Sequence, residues 1–434
     1  MKILFIVPGS GDPFYCGNCF RDNLHANALW KAGHEVIVMP LYLPLKHESF
    51  KGNTPLFFPA VSFYIAQKFF TRKSMPKWME NILNTRTALN IAASFSGSTS
   101  AEGMEGLTLS MIHGEGQAFN EQVKLLVNWI EKQEKPDIIH LSSSLVIGIA
   151  KAIKQKIDIP IICSLQDEEV WVDHLKEEYA TIAWKGISDN LKYIDQFVAS
   201  SEFYKGIALR RIPEIQNIEV VYPGINREKY ASADYPENQI IGFFYRMNRE
   251  NGLHILAEAF VKLKEKESIP NLKLKIGGGY TSVDKKFLKQ VKKTLEPFMN
   301  DVIWSDSYSL DDHQQFYKGI TALSVPLTFD EGVGLYLCEA FAAGRPAVEP
   351  ATGSFPEIVG NAGVLYEPND SQSLADALEK LLINETLLSQ SKENALHLSA
   401  TRYNDKISAE KLIEIYKNSS KICCIFGRNT KNCK

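Results

Sequence analysis

Two glutamates, Glu331 and Glu339, stand eight positions apart, with Gly332 and Gly334 just after the first. On a helix that spacing is about 12 Å, too far for two carboxylates to share a proton or a single metal ion. It suits two grips on an elongated ligand. The strand-like run 320–326 precedes them, and a helix is expected from about Val333. Open α/β sheets take ligands outside the carboxyl ends of their strands. Gly332 and Gly334 let the backbone approach a ligand, and the free amides of a helix start, here Val333 to Leu335, favour phosphate oxygens. A diphosphate on this turn would have Glu331 to one side and Glu339 to the other. Glu339 lies among Leu335, Leu337, Cys338, Ala340 and Phe341, so its helix reads as buried and its carboxylate needs a partner.

The elements that must hold such a turn are visible along the chain. Runs rich in Val and Ile recur at 2–7, 34–40, 137–142, 160–165, 196–201 and 218–223. A second series follows at 240–245, 272–278, 302–306, 320–326, 345–350 and 362–368. Continuous apolar strands alternating with amphipathic stretches predict parallel sheets covered on both faces. Two series predict two doubly wound, Rossmann-like α/β domains, residues 1–230 and 231–402, with the break in the polar stretch 225–239. Residues 403–418 read as a late amphipathic helix with Ile407, Leu412, Ile413 and Tyr416 on its apolar side. Residues 56–130 break the alternation and read as a helical insertion. It is either a helical pair packed on its own domain or a lid, an acceptor wall or a membrane-surface segment, because Phe63–Trp78 is aromatic and basic.

At 434 residues, 45% hydrophobic and 23% charged, the chain suits two ordinary globular domains. A net charge of −3 argues against any general attraction to nucleic acid. The apolar stretch Ile3 to Val7 is too short for a secretory leader and reads as a buried strand. No uninterrupted apolar run reaches the roughly 18 residues a bilayer span needs. Seven cysteines, an odd number thinly spread, fit a reducing, cytoplasmic setting.

The glutamate turn belongs to a longer pattern. Glu331-Gly332-Val333-Gly334-Leu335, Glu339-Ala340-Phe341-Ala342-Ala343-Gly344-Arg345-Pro346 and Pro356-Glu357-Ile358-Val359 together resemble the Glu-x7-Glu signature of retaining, family 4 type glycosyltransferases of the GT-B fold (glycosyl transferases group 1). The stretches 32–38, 221–226 and 365–382 extend the resemblance over most of the chain. It implies two Rossmann-like domains facing a cleft, with the C-terminal helix crossing back to the first domain. It also implies transfer of a sugar from a nucleotide diphosphate sugar to a hydroxyl of a glycan, lipid or small-molecule acceptor, with retention, in glycan, glycolipid or glycoconjugate synthesis. No cofactor and no metal are implied, and no Asp-x-Asp triplet occurs. By the same resemblance Glu331 contacts donor-sugar hydroxyls, the amides of Gly332, Val333, Gly334 and Leu335 meet sugar and phosphate, and Glu339 holds the ribose. Arg246 takes the usual arginine position on the diphosphate and, with Glu331, is the expected catalytic pair. Asn251 stands where these enzymes carry a lysine, and Arg249 is the candidate substitute. Two readings stay open beside this one: a catalytically degenerate nucleotide-sugar-binding protein, for which Asn251 argues, and a nucleotide-sugar epimerase of the same fold.

In the first domain, the Cys-Gly-x-Cys-x-Arg-Asp-Asn pattern at 16–23 resembles a bacterial subgroup of these enzymes and makes Gly17, Asn18 and Arg21 acceptor-side candidates. Cys16 and Cys19 read as loop packing ahead of a redox pair or a metal site, since zinc would need two more ligands. Gln166 and Asp167 stand where many relatives place a histidine near the reacting sugar. Their loop reads either as cleft-facing or as a solvated acidic start to the next helix. His140 reads as a packing histidine. The basic tail 419–434, with Cys423, Cys424 and Cys433, reads as a fraying end or as a contact with an anionic bilayer. The expected location is therefore cytoplasmic, with a peripheral contact at the inner membrane surface as the open extension. Nothing in the sequence fixes an oligomeric state.

Overall fold

The computed structural model describes residues 1–7, 17–41, 104–132, 135–230, 234–305 and 310–425. They divide into two units, one built from the N-terminal part through Val221 together with the chain from Ala409, the other from Tyr222–Ser408.

The first unit contains β1 (Lys2–Val7), α1 (Gly17–Lys31), β2 (Glu35–Pro40), α2 (Glu105–His113), α3 (Gln117–Lys132), β3 (Ile138–Leu141), α4 (Gly148–Lys154), β4 (Ile161–Leu165), α5 (Glu168–Val172), α6 (Glu177–Asn190), β5 (Gln196–Ala199), α7 (Glu202–Arg211) and β6 (Ile218–Val220). Its six strands are ordered β2-β1-β3-β4-β5-β6, and every recorded pairing is parallel. The alternation of side chains along β1 shows why the sheet must be covered twice. Leu4 and Ile6 enter one apolar cluster with Leu107 and Met111 of α2 and Leu126 and Ile130 of α3. Ile3, Phe5 and Val7 enter another with Ala26 and Leu29 of α1. The part of the expected insertion that is described, α2 and α3, thus packs on its own domain. Residues 56–103 lie outside the described residues, so the aromatic Phe63–Trp78 stretch does too.

The second unit contains β7 (Ile240–Phe244), α8 (Leu253–Lys266), β8 (Lys273–Gly277), α9 (Lys285–Leu295), β9 (Val302–Trp304), α10 (Leu310–Lys318), β10 (Ala322–Leu323), α11 (Leu335–Ala342), β11 (Ala347–Pro350), α12 (Phe355–Val359), β12 (Gly363–Tyr366), α13 (Ser371–Ile383) and α14 (Glu385–Thr401). Its strands are ordered β12-β11-β10-β7-β8-β9, again with parallel pairings. The division falls nine residues earlier than the expected 230/231 break. Tyr222 stacks edge-on against Tyr403, its hydroxyl bonds Glu357 at 2.5 Å, and the Ile225 N–H donates to the Tyr403 carbonyl at 2.8 Å, which ties 222–230 to the second unit.

The expected helix 403–418 is α15 (Asp405–Ile425), which starts two residues later than expected and continues beyond 418 to Ile425. Residues 426–434 lie outside the described residues. Ala409, Leu412, Ile415 and Tyr416 of α15 join the cluster of Ile3, Phe5 and Val7, so α15 covers part of one face of the first sheet. Beneath it His140 is wholly buried, with Nδ1 2.6 Å from the Tyr416 hydroxyl and Nε2 2.8 Å from the Ser164 hydroxyl. Burial, and then the charges of His25 and Arg21, hold this imidazole well below the usual histidine range. His140 is a satisfied packing histidine. No helix among the described residues is long and apolar enough to cross a membrane.

If α15 completes the first unit's core, Leu412→Ala should cost about 2–5 kcal/mol of stability through lost burial and a residual cavity. Tyr416→Phe, which strands a buried imidazole nitrogen, should cost about 1–3 kcal/mol. Urea unfolding curves report both, and midpoints unchanged from wild type would mean that α15 is dispensable to that core.

Candidate active site

In the second unit the chain leaves β7 toward β8 and β9, then returns on the other side of β7 with β10. The carboxyl ends of β7 and β10 therefore flank a topological switch point, the place where open α/β sheets take ligands. The loop after β7 carries Arg246, and the loop after β10 carries Glu331.

Backbone contacts lock these loops together. Gly252 has φ +73°, and a Cβ there would sit 1.7 Å from the Pro326 carbonyl oxygen, so no other residue fits. The Thr328 N–H and hydroxyl both donate to the Glu250 carbonyl, at 2.9 and 3.0 Å. The loop after β11 braces the other flank, with the Ser354 N–H donating to the Glu331 carbonyl at 3.0 Å and Thr352 bonding Asp330 through their side chains. Gly353, at φ +60°, lies so close that a Cβ would meet the Glu331 nitrogen at 2.8 Å.

Within this frame Glu331 is mostly buried, and its Oε1 accepts from the Val333 N–H at 3.3 Å. Gly334, at φ +64°, caps α11, which begins at Leu335 rather than at Val333. Gly332, Val333, Gly334 and Leu335 are buried along this turn. Glu339, two turns on, is wholly buried, as its apolar neighbours require. Its partners are tyrosines: Oε1 accepts from the Tyr230 hydroxyl at 2.6 Å and Oε2 from the Tyr317 hydroxyl at 3.0 Å.

Arg246 is held from the side. Its Nε and Nη2 donate to Asp284 at 3.3 Å, and Nη2 also reaches the Thr281 hydroxyl at 3.3 Å. Asp284 closes a capping box with Thr281, accepting from the Thr281 N–H and hydroxyl at 2.8 Å each. Asn251 braces the loop from within: its side-chain amide donates to the Arg246 carbonyl at 2.8 Å, and its own N–H donates to the Asn248 side chain. Arg249 is exposed and reaches α9, with Nη2 3.4 Å from Gln290 and its guanidinium 5.4 Å from the Phe287 ring centre. Arg246 and the Glu331–α11 turn thus stand on the two interlocked loops that flank the switch point, whereas Arg249 is engaged with α9.

In the first unit polar side chains gather on α1 and after the carboxyl ends of β3 and β4. Arg21 and Asp22, on α1, are buried and 3.7 Å apart. Burial pushes the Asp22 carboxyl up to about 7, against the pull of Arg21 and of the Ser142 and Gln166 side chains beside it. The Gln166 amide donates to the Ser142 carbonyl. Asp167, half-buried at φ +52°, precedes a buried Glu168 that accepts from the Ser143 hydroxyl, the Ser144 and Gln166 N–H groups and the Tyr204 hydroxyl. Gly17 opens α1, the side chains of Asn18 and Cys19 lie outside the described residues, and so does Cys16. Among the described residues no group of three or more His, Cys, Asp or Glu is placed to hold a metal ion.

Sequence reasoning missed Asp284, Tyr230, Tyr317 and Asp22. The Thr281-x-x-Asp284 spacing of a capping box was a usable signal for the first. The tyrosines give none, because they come from distant segments.

Residues 225–398 match the family profile described as glycosyl transferases group 1. Among curated proteins the chain is similar to a D-inositol 3-phosphate glycosyltransferase of Corynebacterium jeikeium, 27% identical over 218 residues that cover 48% of this chain and 52% of that one. The chain spans about half the length of such relatives. Among solved structures it is similar to sucrose-phosphate synthase from Thermosynechococcus elongatus (TM-score 0.69, 16% identity, covering 99% of this chain and 100% of that one). It is also similar to Anabaena HepE in complex with UDP (TM-score 0.67, 15% identity, 96% and 100% covered). With its two parallel Rossmann-like units the chain has the GT-B fold, and the match of residues 225–398 to glycosyl transferases group 1 falls on the second of them.

Proposed function

We propose that this chain transfers a sugar from a nucleotide diphosphate sugar to an acceptor hydroxyl with retention of configuration. The observation that carries the reading is the meeting of one cation, one carboxylate and one helix start at a single switch point: Arg246, Glu331 and α11. A departing diphosphate gathers negative charge, and donors fixed before the reaction stabilise it without reorganising. Arg246, pinned by Asp284 and Thr281, is such a donor. At the start of α11 the Leu337 N–H donates to the Gly334 carbonyl at 2.9 Å, and the amides ahead of it sit at the positive end of the helix dipole.

Glu331 then takes the donor-sugar hydroxyls. Glu339 takes the ribose once Tyr230 turns aside, since in the structure that tyrosine occupies one carboxylate oxygen. As the bond from the anomeric carbon to the phosphate oxygen breaks, the acceptor oxygen bonds to that carbon from the same face, and its proton passes to the departing phosphate. A covalent glycosyl–enzyme route needs a second reachable carboxylate. Glu349, whose charge acts on Glu331, is wholly buried and is no candidate for that role. The UDP held by HepE supports a uridine diphosphate donor. In the first unit, Arg21, Asp22, Gln166 and Asp167 serve the acceptor. The chemistry runs through these side chains and calls for no cofactor.

A non-catalytic nucleotide-sugar binder is the second reading, because Asn251 replaces a cation. The bond from Asn251 to the Arg246 carbonyl weakens that reading, as it gives the residue a task in holding the phosphate loop.

Release of free diphosphate from uridine, guanosine and adenosine diphosphate sugars, with and without acceptors, separates the two readings. Arg246→Ala should lower turnover by roughly 10²-fold. Glu331→Ala should abolish transfer while affinity for the bare diphosphate stays near wild type, and full turnover in that variant would end the proposal. Asn251→Lys restores the family's cation but removes the donor to the Arg246 carbonyl, so its turnover should fall. A rise would show that this carbonyl bond is dispensable.

A further inference from the structure

A sealed group of polar side chains lies beneath the Glu331 turn and takes no part in the scheme above. Glu349 on β11 and Tyr336 on α11 are both 0% exposed, and Tyr366, at the end of β12, is 4% exposed. One Glu349 oxygen accepts from the Val325 N–H at 3.1 Å. Among the described residues the other has no hydrogen-bond partner, and neither do the hydroxyls of Tyr336, Tyr366 and Ser354. A strand buried on both faces of a parallel sheet is ordinarily apolar, and an uncompensated buried charge costs several kcal/mol or more. Glu349 is thus an expensive residue where a valine would suffice.

The groups that act on it explain its state. From the turn after β10 comes the negative charge of Glu331, and no basic side chain acts on Glu349 among the described residues. From α11 and β12 come Tyr336 and Tyr366, whose own ionisation Glu349 opposes, and Tyr336 also feels Glu331, Tyr245 and Tyr317. Burial first, and Glu331 after it, push the Glu349 carboxyl well above the usual carboxylate range, against the Val325 bond. The Glu331 turn is clipped to the loop that directly follows Glu349, through Ser354 and Thr352.

We propose that Glu349 is a positioning residue: its carboxyl group, sealed from solvent and bonded to Val325 on the segment that leads from β10 into the Glu331 turn, sets where Glu331 meets the donor sugar. This rests on the reading of Glu331 as the sugar contact. Ionising Glu349 places a second negative charge beside Glu331 in a sealed site and shifts the turn. Recognition of the sugar suffers, whereas recognition of the nucleotide, made elsewhere on α11, does not.

The test uses the full chain and Glu349→Gln, which keeps the acceptor for Val325 and carries no charge at any pH. Stability that depends on a neutral Glu349 is complete at low pH and is lost as pH rises through its raised pKa. The melting temperature of Glu349→Gln relative to wild type should therefore climb with pH, and a constant gap overturns the neutral state. With a productive nucleotide sugar, wild type should lose kcat/KM on the alkaline side over a range where Glu349→Gln stays flat. Glu349→Ala should raise donor KM about tenfold, one hydrogen bond's worth, with affinity for uridine diphosphate within about twofold of wild type. If Glu349→Ala does not fold, the pH profile of Glu349→Gln decides. Wild-type turnover with superimposable pH profiles sinks the inference alone. A wild type inactive on every nucleotide sugar sinks the reading of the site and the inference together.

Discussion

The second unit's site depends on one close approach, the backbone of Gly252 against the carbonyl of Pro326. Two parallel strands can deliver ligand-binding loops to the same crevice, but the loops leave the sheet without any ladder to register them. Here the registration comes from sterics: a residue with no Cβ, in the left-handed region, lets one loop lie directly on the other. Glu250, Thr328, Ser354 and Thr352 add hydrogen bonds to that contact. The spacing of Arg246 from Glu331 is therefore a property of backbone, not of flexible side chains. That rigidity suits a site whose contribution is preorganised charge.

What the sequence revealed is what periodicity and fixed spacing encode. The two strand series, the helix after Glu331 and the late amphipathic helix all follow from local pattern. Asn251 was legible only as a missing cation, because comparison by position shows which residue is absent and not which bond the present one makes. Glu339 needed partners by its apolar neighbourhood, yet Tyr230 lies 109 residues away in sequence and Tyr317 lies 22 away. The division at Val221 was hidden for the same reason. Residues 225–239 look like a linker by composition, but the rings of Tyr222 and Tyr403 and the Ile225 backbone decide the matter. Long-range polar pairing leaves no local trace.

Both units bury acids at the carboxyl ends of their strands, and they manage them differently. In the first, Asp22 has Arg21 alongside, and Glu168 accepts four hydrogen bonds from residues on three segments. In the second, Glu339 rests on tyrosine hydroxyls, which can donate without bringing charge. A tyrosine hydroxyl adds a hydrogen bond without adding a charge, whereas a guanidinium adds both.

The placement of α15 sets an order of events during synthesis. The first sheet's apolar face is closed by Ala409, Leu412, Ile415 and Tyr416, which leave the ribosome only after all of Tyr222–Ser408 has been made. The second unit is a nearly continuous segment and has its whole core available earlier. Domains fold as units as they emerge, so the part of the chain translated first is the part finished last. Until α15 docks, Ile3, Phe5 and Val7 are covered only in part, by Ala26 and Leu29 of α1, and the nascent chain must be kept from associating through the rest.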